Sequence, residues 1–440
     1  MRSLFILVLN LLSLSVLAQF QVGTRTITYN DPARNNRAIE CRIYYPGTTA
    51  GANVPVASGE FPIIVFGHGF TMQPTAYVNW GDEFVPEGYI IVLPATETGF
   101  GPVHEQFGLD LRFIATQMQA EGQDNTSPFY QHVYNRTAIM GHSMGGGSSF
   151  LAASGFSGVD CIVGLAPAET GPSAVSAGAN VSAPTLILSG ASDGVTPPAD
   201  HHIPIYNGVA ANCKYFVSIA NGSHCRFASN PGFCTLGELI PGSLSEADQQ
   251  AVSYAVCRPW FEYFLKDDCD AWDDFQTALS TESDLGTINS VCANDAPVIA
   301  DNNGTLESDQ QPNYQWYLNG IEIPNETQQS FTYTQSGTYQ VGTVNIGNCP
   351  VLSNEITVQI TGVEAVKVTM SSRTTDHVLL TTNSDLGSLR LTWYDLRGKL
   401  LSEEKVQFNN GSVSVAKPTV KGIKLLQVVA EESTHVFKVW

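Results

Sequence analysis

Apolar residues fall in short continuous runs over roughly the first 265 positions: Ile39–Tyr45, Ile63–Phe66, Ile90–Leu93, Thr137–Met140, Ile162–Leu165, Thr185–Leu188 and Tyr215–Ile219. Runs of this length, bounded by Gly, Pro, Asn and Asp, read as strands buried on both faces. Between two of them Phe107, Leu111, Ile114 and Met118 recur at helical spacing and form one buried stripe. The stretch after Val252, "YAVCRPWFEYFLKDD", reads as a closing helix that Pro259 would kink or start. Strands alternating with helices predict an α/β sheet with helices on both faces. Beyond about Cys292 the texture changes to short alternating segments rich in Thr, Asn, Gln, Ser and Gly, which predicts two small all-β, sandwich-like modules, 294–361 and 362–440.

The first residues, "MRSLFILVLNLLSLSVLAQF", combine a basic Arg2, an apolar run and small residues near Ala18, the layout of a secretory signal over 1–18. That reading predicts a secreted or cell-surface protein whose catalytic candidates lie in 19–293. Nine cysteines fit an oxidising compartment, and an odd count leaves at least one without an intrachain partner. A formal charge of −20 makes nucleic acid a poor partner, and no later segment is long and apolar enough to span a bilayer. No metal-ligand spacing, phosphate loop or nucleotide fingerprint occurs, so no cofactor and no metal are assigned.

The chemistry concentrates in "TAIMGHSMGGG", where a predicted strand runs into Gly141-His142-Ser143-Met144-Gly145 and a helix-compatible stretch follows. This is the context of a nucleophile elbow. Glycine is required at 141 and 145 because side chains there would collide with neighbouring backbone, while Ser143 is lifted into a cleft. A serine hydroxyl needs a base oriented by a carboxylate, in the order Ser, acid, His. Asp193 follows the strand in "APTLILSGASDGVTPP", and His224 follows the next strand in "NGSHCRF". His201 and His202 are read as surface or packing residues, and His142 as orienting the turn. Two N–H groups must face the oxyanion: that of Met144, and that of Phe70 in "PIIVFGHGFTMQP".

These motifs resemble the α/β-hydrolase superfamily, in particular its branch of bacterial cutinases, polyester hydrolases, chlorophyllase-like and platelet-activating-factor-acetylhydrolase-like esterases. "GHSMGGG", "DGVTPPADHHIPIY", "NGSHC" and "FGHGFT" carry the resemblance. It implies a serine ester hydrolase with the triad Ser143, Asp193 and His224, acting on a small ester, a lipid or a polyester. It also implies that Phe70 walls the substrate cleft and that Val195 is the apolar residue beside the acid. Where polyester-degrading members carry a cleft-facing tryptophan, this chain has "GLAPAETGPS", with Ala168 or Glu169 at the corresponding place. Cys269 with Cys292 resembles the C-terminal bridge of those enzymes. The last 80 or so residues resemble a type IX secretion sorting domain, with Lys424 in place of its usual tyrosine, and "YQWYLNG" with "SGTYQV" resembles an immunoglobulin-like module. The sorting-domain resemblance implies the secretion machinery as a partner. A different class of function, in which β modules for adhesion or carbohydrate binding follow an inactive scaffold, would predict a broken triad.

Overall fold

The computed structural model describes residues 19–292, 294, 296–360, 368–373, 377–382, 388–407, 412–419, 424–430 and 433–439. The expected signal segment, 1–18, lies outside the described residues. The chain divides into two compact units, the first Met1–Ala293 with Ile346–Cys349, the second Asn294–Asn345 with Pro350–Trp440.

The first unit is built on ten strands: β1 (Gln21–Asp31), β2 (Arg37–Gly47), β3 (Gly51–Ala52), β4 (Phe61–Gly67), β5 (Ile90–Pro94), β6 (Val133–His142), β7 (Cys161–Leu165), β8 (Thr185–Gly190), β9 (Cys213–Ile219) and β10 (Leu285–Cys292). They form one sheet in the order β10-β9-β8-β7-β6-β4-β5-β2-β1-β3. Its centre, from β5 through β4 and β6 to β9, is parallel, and β2 and β10 join antiparallel. The helices are α1 (Val78–Phe84), α2 (His104–Glu121), α3 (Met144–Ala153), α4 (Ala174–Gly178), α5 (His202–Gly208), α6 (Cys234–Gly237), α7 (Glu246–Leu265) and α8 (Ala271–Thr281).

Continuous apolar runs are explained by burial on both faces. Successive residues of β4 alternate between two cores: Ile64 and Phe66 join Trp80, Val256, Trp260 and Phe275 on one face. Ile63 and Val65 join Phe107, Leu111, Ile114 and Phe150 on the other. The α2 stripe is therefore core packing. Helix α7 starts at Glu246 and runs through Pro259, so Pro259 does not start it. Pro259 gives up one helical hydrogen bond and is itself buried, beside the buried Trp260 and Phe261. Among the described residues no helix is long and apolar enough to cross a membrane.

Three disulfides are present, Cys213–Cys292, Cys225–Cys234 and Cys269–Cys349. The expected Cys269–Cys292 pairing is thus replaced: β10 pairs with β9 in a register that sets Cys292 opposite Cys213, leaving Cys269 to Cys349. Cys41, Cys161 and Cys257 are buried free thiols, pushed to higher pKa by burial.

The described residues of the second unit form strands in four small sheets. One apolar core gathers Leu306, Trp316, Tyr339 and Val341; a separate one gathers Leu389, Leu391, Trp393, Leu426 and Val428.

Candidate active site

At the end of β6 the backbone turns through Ser143 at φ 56° and ψ −120°. This left-handed value is strained for a residue with a side chain. The surroundings fix it: a Cβ at Gly141 would lie 2.4 Å from the Gly145 carbonyl, and one at Gly145 would lie 2.2 Å from the backbone of Gly67. Ser143 N donates to Leu165 O at 2.9 Å, while Ser143 O accepts from Gly147 N at 3.0 Å and Ala168 N at 2.9 Å. Ser143 is 7% exposed. Met144 opens α3, so its N–H belongs to the first-turn amides that have no intrahelical acceptor.

Asp193 sits in the loop after β8, and His224 in the loop after β9. The Asp193 carboxylate collects four donors: Oδ1 accepts from Val195 N at 2.9 Å and Thr196 N at 2.8 Å, and Oδ2 from Thr196 Oγ1 at 3.0 Å and His224 Nδ1 at 2.7 Å. The backbone around His224 is clamped from two sides. Gln249 of α7 accepts from Ser223 N and donates to Ser223 O, both at 2.8 Å. The Glu238 carboxylate accepts from His224 N at 2.5 Å and Cys225 N at 3.2 Å.

His142 is fully buried and joins three loops. Its Nε2 lies 2.9 Å from the His224 carbonyl, so that nitrogen carries the proton; Nδ1 then accepts from Tyr77 Oη at 2.8 Å, and Tyr77 Oη accepts from Gly69 N at 2.8 Å. Burial, helped by the nearby His224, lowers the His142 pKa well below the usual imidazole range. His142 is therefore a neutral connector.

A second buried network backs the acid. Ser189 Oγ is 2.8 Å from His202 Nδ1, and His202 Nε2 is 3.0 Å from Thr196 Oγ1. Thr196 donates to Asp193, so it accepts from His202, whose other nitrogen accepts from Ser189. Burial pushes the His202 pKa down to about 3 against the opposing charge of Asp193. Ser189 and His202 are both 0% exposed, so this Ser, His and Asp grouping has no face open to a substrate. The expectation that His202 is a surface or packing residue is corrected by its place in this polar shell; His201 instead accepts from Glu169 N at 2.9 Å. Burial opposes ionisation of Asp193, but the bonds and charges of His224, His202 and Thr196 together hold its pKa below the usual carboxylate value.

The loop after β4 presses against the elbow: a Cβ at Gly69 would lie 3.2 Å from His142 Nδ1. His68 bonds the Thr96 carbonyl at 2.7 Å, tying this loop to the one after β5. Phe70 follows and is 46% exposed. Val195 and Ala168 are half-buried. The Glu169 carboxylate accepts from Val175 N in α4. Sequence reasoning missed Tyr77, Thr196, Gln249 and Glu238, which act over separations of up to 65 residues. Thr196 alone had a local signal, since a Thr three residues after an Asp commonly closes an Asx turn.

The family described as PETase, PET hydrolase-like, matches residues 17–239, just over half of the 440. A bis(hydroxyethyl) terephthalate hydrolase of Streptomyces coelicolor is 24% identical over 200 residues, 44% of this chain and 58% of the relative. A cutinase of Thermobifida alba is 25% identical over 187 residues, 42% of this chain and 59% of the relative. A chlorophyllase of Citrus sinensis is 27% identical over 114 residues, 26% of this chain and 34% of the relative. The matches thus span less than two thirds of those relatives. With an elbow at the end of parallel strand β6, an aspartate after β8 and a histidine after β9, and that match over its first half, the chain belongs to the PET hydrolase-like family.

Proposed function

We propose that the protein is a serine hydrolase of carboxylic esters, in which Ser143 is the nucleophile, His224 the general base and Asp193 its orienting acid. The observation that carries this reading is the strained Ser143 elbow together with the Asp193–His224 bond of 2.7 Å. With Nδ1 committed to Asp193, Nε2 is the nitrogen left to take the serine proton as Oγ attacks the acyl carbon. The tetrahedral oxyanion is held by the N–H groups of Phe70 and Met144. Collapse expels the alcohol, protonated by His224, and leaves an acyl-enzyme. Water, deprotonated by the same histidine, then attacks the acyl carbon, and Ser143 leaves with its proton restored.

The relatives' names, a terephthalate-ester hydrolase and a cutinase, favour an ester of apolar acids, polyesters included. Export through an N-terminal signal and the C-terminal module belongs to the same proposal. The test is hydrolysis of p-nitrophenyl acetate, butyrate and longer esters by the full chain and by Ser143→Ala. Loss of the serine should lower kcat about 10⁴-fold or more. Equal rates from both proteins would refute the assignment.

A further inference from the structure

Beside the proposed cleft, three phenylalanine rings from three different loops stand in a row on the outside of the protein. Phe70 and Phe100 have ring centroids 6.3 Å apart at 77°, and Phe100 and Phe233 6.2 Å apart at 63°. They are 46%, 79% and 63% exposed. Edge-to-face pairs at this distance are favourable, yet none of the three rings belongs to either core of the unit. Leu236, Leu239 and Ile240, exposed by 71%, 88% and 84%, extend the apolar surface along the same loop as Phe233. Exposed apolar side chains gathered in this way form a candidate binding surface rather than ordinary surface scatter.

Both ends of the row are fixed to loops of the proposed site. Phe70 follows Gly69, whose N–H is held by Tyr77. Phe233 precedes Cys234, which is bridged to Cys225, the residue after His224. Glu238 of the same loop holds the His224 N–H, and a Cβ at Gly237 would lie 3.8 Å from Val195 Cγ2. At the middle, Glu97 stiffens the Phe100 loop by accepting from Val103 N at 2.7 Å and pairing with Arg37 at 2.7 Å.

We infer that Phe100 and Phe233 are specificity-determining residues: with Phe70 they form an aromatic rail at the cleft mouth that selects esters carrying an aromatic acyl group. This rests on the Ser143 reading for turnover, but the binding itself does not. Ring edges and faces offer a substrate ring the same edge-to-face contacts that the phenylalanines make with one another.

The experiment uses the full chain and the double variants Phe100→Ala/Phe233→Ala and Phe100→Leu/Phe233→Leu, whose exposed positions leave the cores untouched. The expected result is that the alanine pair lowers kcat/KM for p-nitrophenyl benzoate about tenfold relative to p-nitrophenyl acetate, and that leucine restores less than half of the loss. Equal falls on both esters, or an unchanged ratio, would overturn the inference; full rescue by leucine would overturn its aromatic selectivity. Binding of ethyl benzoate to the Ser143→Ala chain, followed by saturation-transfer NMR, separates the two readings. Binding that weakens when the rings are removed supports the rail even if turnover is independent of Ser143. Ring-independent binding beside Ser143-dependent turnover rejects the rail alone.

Discussion

Acid should destabilise the first unit well before its carboxylates titrate, because it holds neutral imidazoles out of water. His202 has no exposed surface, and burial puts its pKa at about 3, against about 6.5 in an unfolded chain. Between those values the unfolded state binds a proton that the folded state refuses. Stability is therefore complete above about pH 6.5 and falls as pH drops through the window. At about 1.4 kcal/mol per pH unit, lowering the pH from 7 to 5 costs about 2 kcal/mol through His202 alone. His142 and His68, both lowered by burial, act in the same direction. Asp193 has the opposite sign of effect: its depressed pKa stabilises the fold above the unfolded carboxylate value and is lost only in stronger acid, so it does not enter between pH 7 and 5. The assay is hydrogen-exchange mass spectrometry in a urea series, reading peptides of β8 and β9 at both pH values, corrected for intrinsic exchange. His202→Asn should reduce the pH-dependent loss by about 2 kcal/mol. A variant with the same pH slope as the parent chain would refute the reasoning.

Two other substitutions test the connectors. Tyr77→Phe removes the acceptor of Gly69 N–H and the donor to His142; it should cost about 1–3 kcal/mol in urea unfolding and lower kcat about tenfold or more by freeing the oxyanion loop. A stability loss with unchanged kcat would leave that chain a structural role only. Glu238→Ala unpairs the N–H groups of His224 and Cys225; kcat for p-nitrophenyl acetate should fall about tenfold with little change in KM, whereas a change in KM alone would contradict a positioning role.

The centre of the sheet was legible because β4 to β9 are buried on both faces and leave continuous apolar runs. The edges were not. In β1 the alternation is diluted by exposed Thr26 and Thr28 and half-buried Arg25, and β10 has no buried residue at all; pairing with β2 and β9 and the Cys213–Cys292 bridge hold them, none of which is a local signal. Ser143, Asp193 and His224 could be placed because each lies just past the end of such a run. Their supporting residues could not, because Tyr77, Gln249 and Glu238 meet the site only after the chain closes on itself. His202 reads from the sequence as a surface or packing residue; it is buried, and only the fold shows Ser189 and Thr196 on its two nitrogens. Cysteine pairing likewise depends on register, and shifts when β10 takes the sheet edge.

Two lines of neutral hydrogen bonds join the loops around Ser143. Gly69, Tyr77, His142 and the His224 carbonyl form one line of neutral hydrogen bonds, and Ser189, His202 and Thr196 form another behind the acid. Neutral bonds avoid the large desolvation cost of buried charges and are not screened by salt. The strained Ser143 turn, of a kind costing about 1–3 kcal/mol, is also held by contact rather than charge, since Gly141, Gly145 and Gly67 leave no room for relaxation. The Asp193 carboxylate is met by four donors and sits where it can stabilise an imidazolium as it forms. Positioning thus falls to neutral hydrogen bonds and to the Glu238 carboxylate on the His224 backbone, and the electrostatic role in the proposed proton movements to Asp193.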